Sequence, residues 1–258
     1  MNYIIFDLEF NQSYNSSKEN KCIVNKDCPF EIIQIGAVKL DERLQSIGNL
    51  DRLVKPVIYT VLNPFVEKLT GITINDLNSA NSFKEIYAEF IDFIGNDETV
   101  LCVWGKADIK ELFRNIQYHQ LDISSMPKKY IDLQRYASRY LNCPKGTSIG
   151  LSNAVKLLKI SFKNEFHNAF ADAYYTAEIF KKVYNEKFEP KIYNHSRHNR
   201  LNTYSKEKKN IDTHGLIKQF EKMFNRKMTE EEIKIIKLAY IMGKTNQFQI
   251  KNYDNLNK

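Results

Sequence analysis

Residues 2–10 read NYIIFDLEF, and this stretch limits what the chain can fold into more than any other. It is rich in aromatic and β-branched residues and long enough for one pass through a sheet, so it is expected to be a β-strand. Side chains on a strand alternate between faces. Tyr3, Ile5, Asp7 and Glu9 therefore share one face, and Ile4, Phe6, Leu8 and Phe10 share the other. The two carboxylates leave the backbone about 7 Å apart and point the same way. Their apolar flanks suit a buried strand, where two bare carboxylates repel each other and lose hydration. A divalent cation with oxygen ligands between them resolves both problems. An edge strand with two acids facing water fits the same pattern, so the remainder of the chain has to decide.

A polar loop, Asn11 to Pro29, follows and is expected to border the site as a mobile flap. Glu31–Leu40 and Leu44–Val54 read as two strands joined by a short turn, hence antiparallel. Asn63-Pro64 opens a short helix that Thr70-Gly71 closes. Ser82, with Glu85 three residues on, opens an amphipathic helix. Thr99–Trp104 reads as a compact apolar strand, turned by Gly105 into a helix that starts at Ala107. Tyr130–Leu133 is expected as a brief last strand, continued by a helix to Leu141. Ser148 is expected to cap the next helix, and the one after Asn168 to run to about Lys187.

Two further acids fall where a site would form. Asp108 sits in the first turn of a helix, just past the carboxyl end of a strand, the position at which open α/β sheets bind ligands. A helix dipole alone also favours an acid there. Asp172 shares a helical stripe with Ala169, Thr176 and Ile179, and a carboxylate on so apolar a face needs a partner. His167 precedes it by five residues.

Charge divides the chain. Residues 1–180 carry a balance of −2, while residues 181–258 carry +9. The basic tail suits a polyanionic partner, although a general abundance of Lys, Asn and Ile produces the same bias. Residues 188–212 read as a basic linker and 213–258 as a small helical extension. In that extension, one helix spans Thr213–Phe224 and a second is capped by Thr229 and Glu232. Cys22, Cys28, Cys102 and Cys143 show no zinc spacing. Reduced thiols are expected, with a Cys22–Cys28 bridge left open. His119, His195, His198 and His214 have no ligand company and read as surface groups. The chain enters a strand at once, and no apolar run reaches the length of a membrane span, so a cytoplasmic protein is expected.

Asp7-Leu-Glu9, Trp104-Gly-Lys-Ala-Asp108 and His167-x-x-x-x-Asp172, in that order, resemble the three motifs of the DEDDh exonucleases. The tyrosine subtype needs Tyr four residues before the last acid, where this chain has Asn168. Within that superfamily, four segments are most similar to the Eri-type and sporulation-inhibitor KapD-like exonucleases. They are Val54-Lys55-Pro56, Pro64 to Leu69-Thr70-Gly71-Ile72, the Trp-Gly before Asp108, and Ile131-Asp132-Leu133. The resemblance covers about residues 1–185. It implies an α/β, ribonuclease-H-like fold with a mixed five-stranded sheet flanked by helices, in a domain spanning 1–187. It implies a 3′-5′ exonuclease that works with two Mg²⁺ or Mn²⁺ ions and releases nucleoside 5′-monophosphates, RNA favoured over DNA. Asp7 would bridge both ions, Glu9 and Asp172 would hold one and Asp108 the other, and His167 would be general base. Leu8, Phe10 and Thr70 would touch the terminal nucleotide. A regulatory module that binds nucleic acid on the same fold without turnover is the alternative. Oligomeric state is not legible.

Overall fold

The strand of the two acids, β1, spans Asn2–Gln12 in a computed structural model that describes residues 1–14, 24–144, 146–161, 166–185, 188–194 and 212–244. Six more strands follow: β2 (Phe30–Leu40), β3 (Ser46–Lys55), β4 (Asn81–Ser82), β5 (Thr99–Val103), β6 (Lys129–Asp132) and β7 (Lys191–Ile192). They form a mixed sheet in the order β4-β3-β2-β1-β5-β6-β7, with β1 at its centre. β1, β2 and β3 pair antiparallel as a meander. β5 and β6 run parallel to β1, so the carboxyl ends of all three meet at one edge. Among the described residues seven strands replace the expected five, because β4 and β7 are two-residue pairings too short to leave a sequence pattern.

The helices of the first unit, Met1–Arg197, are α1 (Pro64–Thr70), α2 (Ile74–Asn78), α3 (Phe83–Ile94), α4 (Ala107–Tyr118), α5 (Leu133–Tyr140), α6 (Leu151–Leu157) and α7 (Ala169–Val183). Local chemistry sets most of their ends. Asn63 caps α1 and Gly71 ends it in the left-handed region, φ 71°. Ser82 and Glu85 form the capping box of α3, and Thr73 and Asp76 form one on α2, a helix the sequence reading did not anticipate. α6 begins at Gly150 with no side-chain cap, so Ser148 does not have the capping role expected of it. α7 ends at Val183 and not near Lys187.

Two apolar layers hold the sheet. Ile4, Phe6 and Leu8 pack with Phe90, Ile109, Leu112 and Phe113 under α3 and α4. Tyr3 and Ile5 pack with Val155, Ala171, Tyr175 and Phe180 under α6 and α7. The alternation expected of residues 2–10 is therefore the alternation observed.

The stretch expected to be a linker from 188 contributes to the first unit. Lys191 and Ile192 pair with β6, and buried Tyr193 stacks on Phe113 with ring centroids 4.5 Å apart. Most of the proposed flap (residues 15–23), together with Cys22, His195 and His198, lies outside the described residues. Cys28 is a buried free thiol. His119, read as a surface group, is half-buried against Phe83 at 4.9 Å, and burial lowers its pKa. The second unit, His198–Lys258, contains α8 (Thr213–Phe224) and α9 (Glu230–Lys244). Among the described residues no helix is long and apolar enough to cross a membrane.

Candidate active site

Asp7 and Glu9 leave β1 on its α7 face, half-buried beyond Tyr3 and Ile5. Opposite Asp7 on β2 stands Gly36. A Cβ at Gly36 would lie 2.1 Å from the Phe170 nitrogen and 2.2 Å from the Ala169 carbonyl carbon. The first residues of α7 therefore rest directly on the backbone of β2. Gln34, opposite Glu9, completes the attachment. Its Oε1 accepts from the Ala169 N–H at 3.1 Å, and its Nε2 donates to Asp51 at 2.8 Å. Asn168 caps the helix through the Ala171 N–H at 3.1 Å.

This seating brings Asp172, in the first turn of α7, over Asp7 and Glu9. One carboxylate oxygen from each of the three lies within 4.8 Å of the others. The strand end is shaped by a bulge. Pairing slips between Glu9 and Phe10, leaving Ile33 as the extra residue, and Ile33 turns into a small cluster with Leu62, Val66 and Leu77. Asn115 of α4 fastens the bulged strand, accepting from the Ile32 N–H at 3.1 Å and donating to the Phe30 carbonyl at 2.9 Å. The same helix carries Asp108, buried in its first turn.

Asp108 stands outside the triad of close oxygens, yet among neighbouring charges it acts most strongly on Asp7. Burial, then Asp108, Asp172 and Glu9, push the Asp7 carboxyl well above its ordinary range. Burial, then Asp172 and Asp108, raise Glu9 to about 8. Burial first, and the charges of Asp172 and Glu111 after it, raise Asp108 to about 7. Asp172 is raised by burial, with His167 pulling the other way. Burial raises all four carboxyls, and neighbouring acids raise Asp7, Glu9 and Asp108 further, which describes a site short of positive charge.

His167 lies exposed at the rim, with φ 70°, a left-handed conformation uncommon for a residue with a side chain. Its backbone N–H donates to Asp172 Oδ2 at 3.2 Å. Asp172 Oδ1 is buried without a hydrogen-bond partner. An orphaned carboxylate oxygen in a ring of three acids fits a hard divalent cation well. Of the other expected contacts, Leu8 is buried in the α3–α4 layer, and Phe10 is half-buried, 6.3 Å from Phe30 by ring centroid. The Thr70 hydroxyl is engaged in ending α1, donating to the Val66 carbonyl and accepting from the Ile72 N–H.

Sequence reasoning missed Gln34, Gly36 and Asn115, which assemble the acids. Gly36 had a signal: a glycine inside an apolar strand often marks a close backbone approach. Glu31 was also missed. It is buried and accepts three backbone N–H groups, from Val57, Ile58 and Tyr59, so it shapes a loop and does not belong with the four acids.

No sequence among the curated proteins matches this chain. Solved structures do. The nuclease domain of 3′hExo, described as a DEDDh family member and solved with rAMP, superposes with a TM-score of 0.62 at 23% identity, over 75% of this chain and 96% of its own. Cell-death related nuclease 4 (CRN-4) gives 0.60 at 19%, over 74% and 66%. Exonuclease I gives 0.56 at 19%, over 70% of this chain and 41% of its own. These likenesses establish the fold. The family model described as "Exonuclease" matches residues 4–180. Because that match runs from the strand of Asp7 through the helix of Asp172, the chain belongs to the exonuclease family, on a ribonuclease-H-like fold.

Proposed function

We propose that the chain is a divalent-metal-dependent 3′-5′ exonuclease that removes nucleoside 5′-monophosphates from nucleic acid, RNA in preference to DNA. The approach of Asp7, Glu9 and Asp172 oxygens to within 4.8 Å of one another carries the reading. Such crowding has no use in a site that meets a polyanion unaided.

Asp7, Glu9 and Asp172 would hold one Mg²⁺ or Mn²⁺ ion, and Asp7 with Asp108 the second. The ions would supply charge stabilisation for the attacking and leaving oxygens of the phosphodiester. The remaining chemistry falls to the chain. An imidazole nitrogen of His167 takes the proton of the attacking water as general base. The bond from its backbone N–H to Asp172 keeps that imidazole beside the acids. The Leu8 backbone, Phe10 and Thr70 are assigned to the terminal nucleotide, and the basic tail to the strand beyond.

The preference for RNA, and closeness to the KapD-like subgroup, rest on the motif resemblance. The preference for RNA is also supported by a structural neighbour described as a 3′-exonuclease that recognises the 3′ end of histone mRNA stem-loop. Another neighbour, E. coli exonuclease I, was solved with a dA16 oligonucleotide, so both strand types belong in the test. The experiment is incubation of 5′-labelled RNA and DNA with protein and manganese. Stepwise shortening from the 3′ end with mononucleotide release is expected, and should be abolished by Asp7→Ala. His167→Gly, which suits the left-handed backbone, should retain the melting temperature and lower kcat about 10²-fold or more. Absence of mononucleotide release from both strands, or full activity in Asp7→Ala, would sink the proposal.

A further inference from the structure

At the carboxyl end of β6, a cavity of about 230 Å³ opens between α5 and the segment that leads into β7. Its floor is Asp132, the last residue of β6 and 7% exposed. Asp132 Oδ1 is buried with no hydrogen-bond partner. Arg135 and Arg139 from α5 and Lys191 from β7 line the walls. None of these three forms an ion pair among the described residues, although Asp132 feels the charges of Arg135 and Lys191. Lys106 adds a fourth positive charge, felt by both Asp132 and Lys191.

The wall is rigid. The Tyr136 ring stacks on Phe188 with centroids 4.0 Å apart, and its hydroxyl accepts from the Glu189 N–H at 3.1 Å. So the cavity combines a cluster of uncommitted cations, aromatic sides and one buried acceptor without a donor. The cations suit a phosphate, arginine above all because its planar fork matches phosphate oxygens. The acceptor suits a hydroxyl that can donate.

Its place in the fold relates it to the acids. Asp132 is level with Val103 of β5, one residue beyond the Ile5–Cys102 pairing of β1 and β5. Two strand spacings, about 10 Å, separate β6 from β1. Lys106 lies on the turn between β5 and α4, two residues before Asp108. The cavity and the acid cluster thus open at the same edge of the sheet, with that turn between them.

We propose that this cavity is a subsite for one ribonucleotide unit of the strand being degraded. Its phosphate is held by Arg135, Arg139 and Lys191, and its 2′-hydroxyl donates to Asp132. The proposal rests on the exonuclease reading for the identity of the strand, and it places the choice of RNA over DNA at Asp132. A deoxyribose leaves that carboxylate without a donor, and an unsatisfied buried acceptor is costly.

Binding tests it apart from turnover. The affinity of a labelled ten-residue oligoribonucleotide and of its deoxy twin is read by anisotropy in manganese, with Asp7→Asn in the background to prevent cleavage. Adding Arg135→Gln and Arg139→Gln, both exposed positions, should weaken the ribo-oligomer about tenfold and reduce the salt slope by about 1. Asp132→Ala, which removes the acceptor, should bring the two affinities together. Unchanged affinity and slope in the double arginine variant, with an unchanged melting temperature, overturn the subsite. Free AMP is titrated in parallel, and a loss confined to AMP overturns the assignment to the strand. If the wild-type protein degraded neither strand, the exonuclease reading would fall, while these binding outcomes would still decide the subsite.

Discussion

At Gly36 a hydrogen atom stands where any other residue would place a carbon, and the backbone of α7 occupies the space beyond it. The contact is with Ala169 and Phe170 main-chain atoms, which cannot rotate aside as the end of a flexible side chain can. Gly36→Ala must lift α7 from β2 or bend β2 away from β1. Overpacking a core ordinarily costs about 1–3 kcal/mol, and a clash with backbone belongs at or beyond the upper end. We expect a denaturant midpoint lowered accordingly, together with loss of nuclease activity in whatever folds, since Asp172 rides on the displaced helix. A variant with wild-type midpoint and wild-type activity would show that Gly36 does not set the height of α7. Asp7, Glu9 and Asp172, which the fold brings together, were readable because an acid is conspicuous on an apolar strand or stripe. The residue that makes them meet was harder to read, since what it contributes is the absence of a side chain.

α7 reaches the acids by its first turn, and one side chain from β2 fixes that turn. Gln34 accepts from the Ala169 N–H and donates to Asp51, so it bridges β3, β2 and the start of α7 while buried. Gln34→Ala leaves the buried Ala169 N–H without its partner, at a cost of about 1–3 kcal/mol. Because the loosened element carries Asp172, the concentration of Mn²⁺ needed for half-maximal activity should rise more than KM for the oligonucleotide. Gln34→Glu keeps the acceptor for Ala169 and should recover part of the metal response, even though it sets a second carboxylate against Asp51. Equal metal dependence in wild type and Gln34→Ala would remove Gln34 from the positioning of the site. Elements whose ends are written locally were legible in the sequence: α1 from Asn63-Pro64, α3 from its capping box, β1 from its alternation. Those fixed from elsewhere were not. β7 is two residues with no pattern of their own, and it exists because β6 offers an edge. α6 starts at Gly150 without a capping side chain, so the nearby Ser148 misled.

Across the whole molecule, the acids oppose the fold that gathers them. Glu9 and Asp108 titrate near 8 and 7 in the folded chain, against ordinary values of 4.5 and 3.8. Raised values mean that the folded state binds more protons than the unfolded one over this interval. Metal-free protein should therefore lose stability as pH rises from about 4 towards 8. The melting temperature in EDTA should be higher at pH 5.5 than at pH 8, with Glu9→Gln flattening the slope. Mg²⁺ should raise the melting temperature most at pH 8, because it stabilises the state that binds it. A metal-free melting temperature that climbed between pH 5.5 and 8 would contradict the assignment of these groups. The second prediction at this scale concerns where the nuclease body ends. Polar, basic and aperiodic composition places the boundary near Lys187, but packing carries the first unit to Arg197. Tyr193 is buried, stacks on Phe113, meets Tyr130 at 6.2 Å and donates its N–H to the Lys128 carbonyl at 2.8 Å. Removing a buried aromatic of this kind costs about 3–5 kcal/mol. A protein ending at Arg197 should melt close to the full chain, whereas one ending at Lys187 should melt well below both and lose the β7 wall of the β6 cavity. Equal melting temperatures for the two truncations would return residues 188–197 to the linker that their composition suggests.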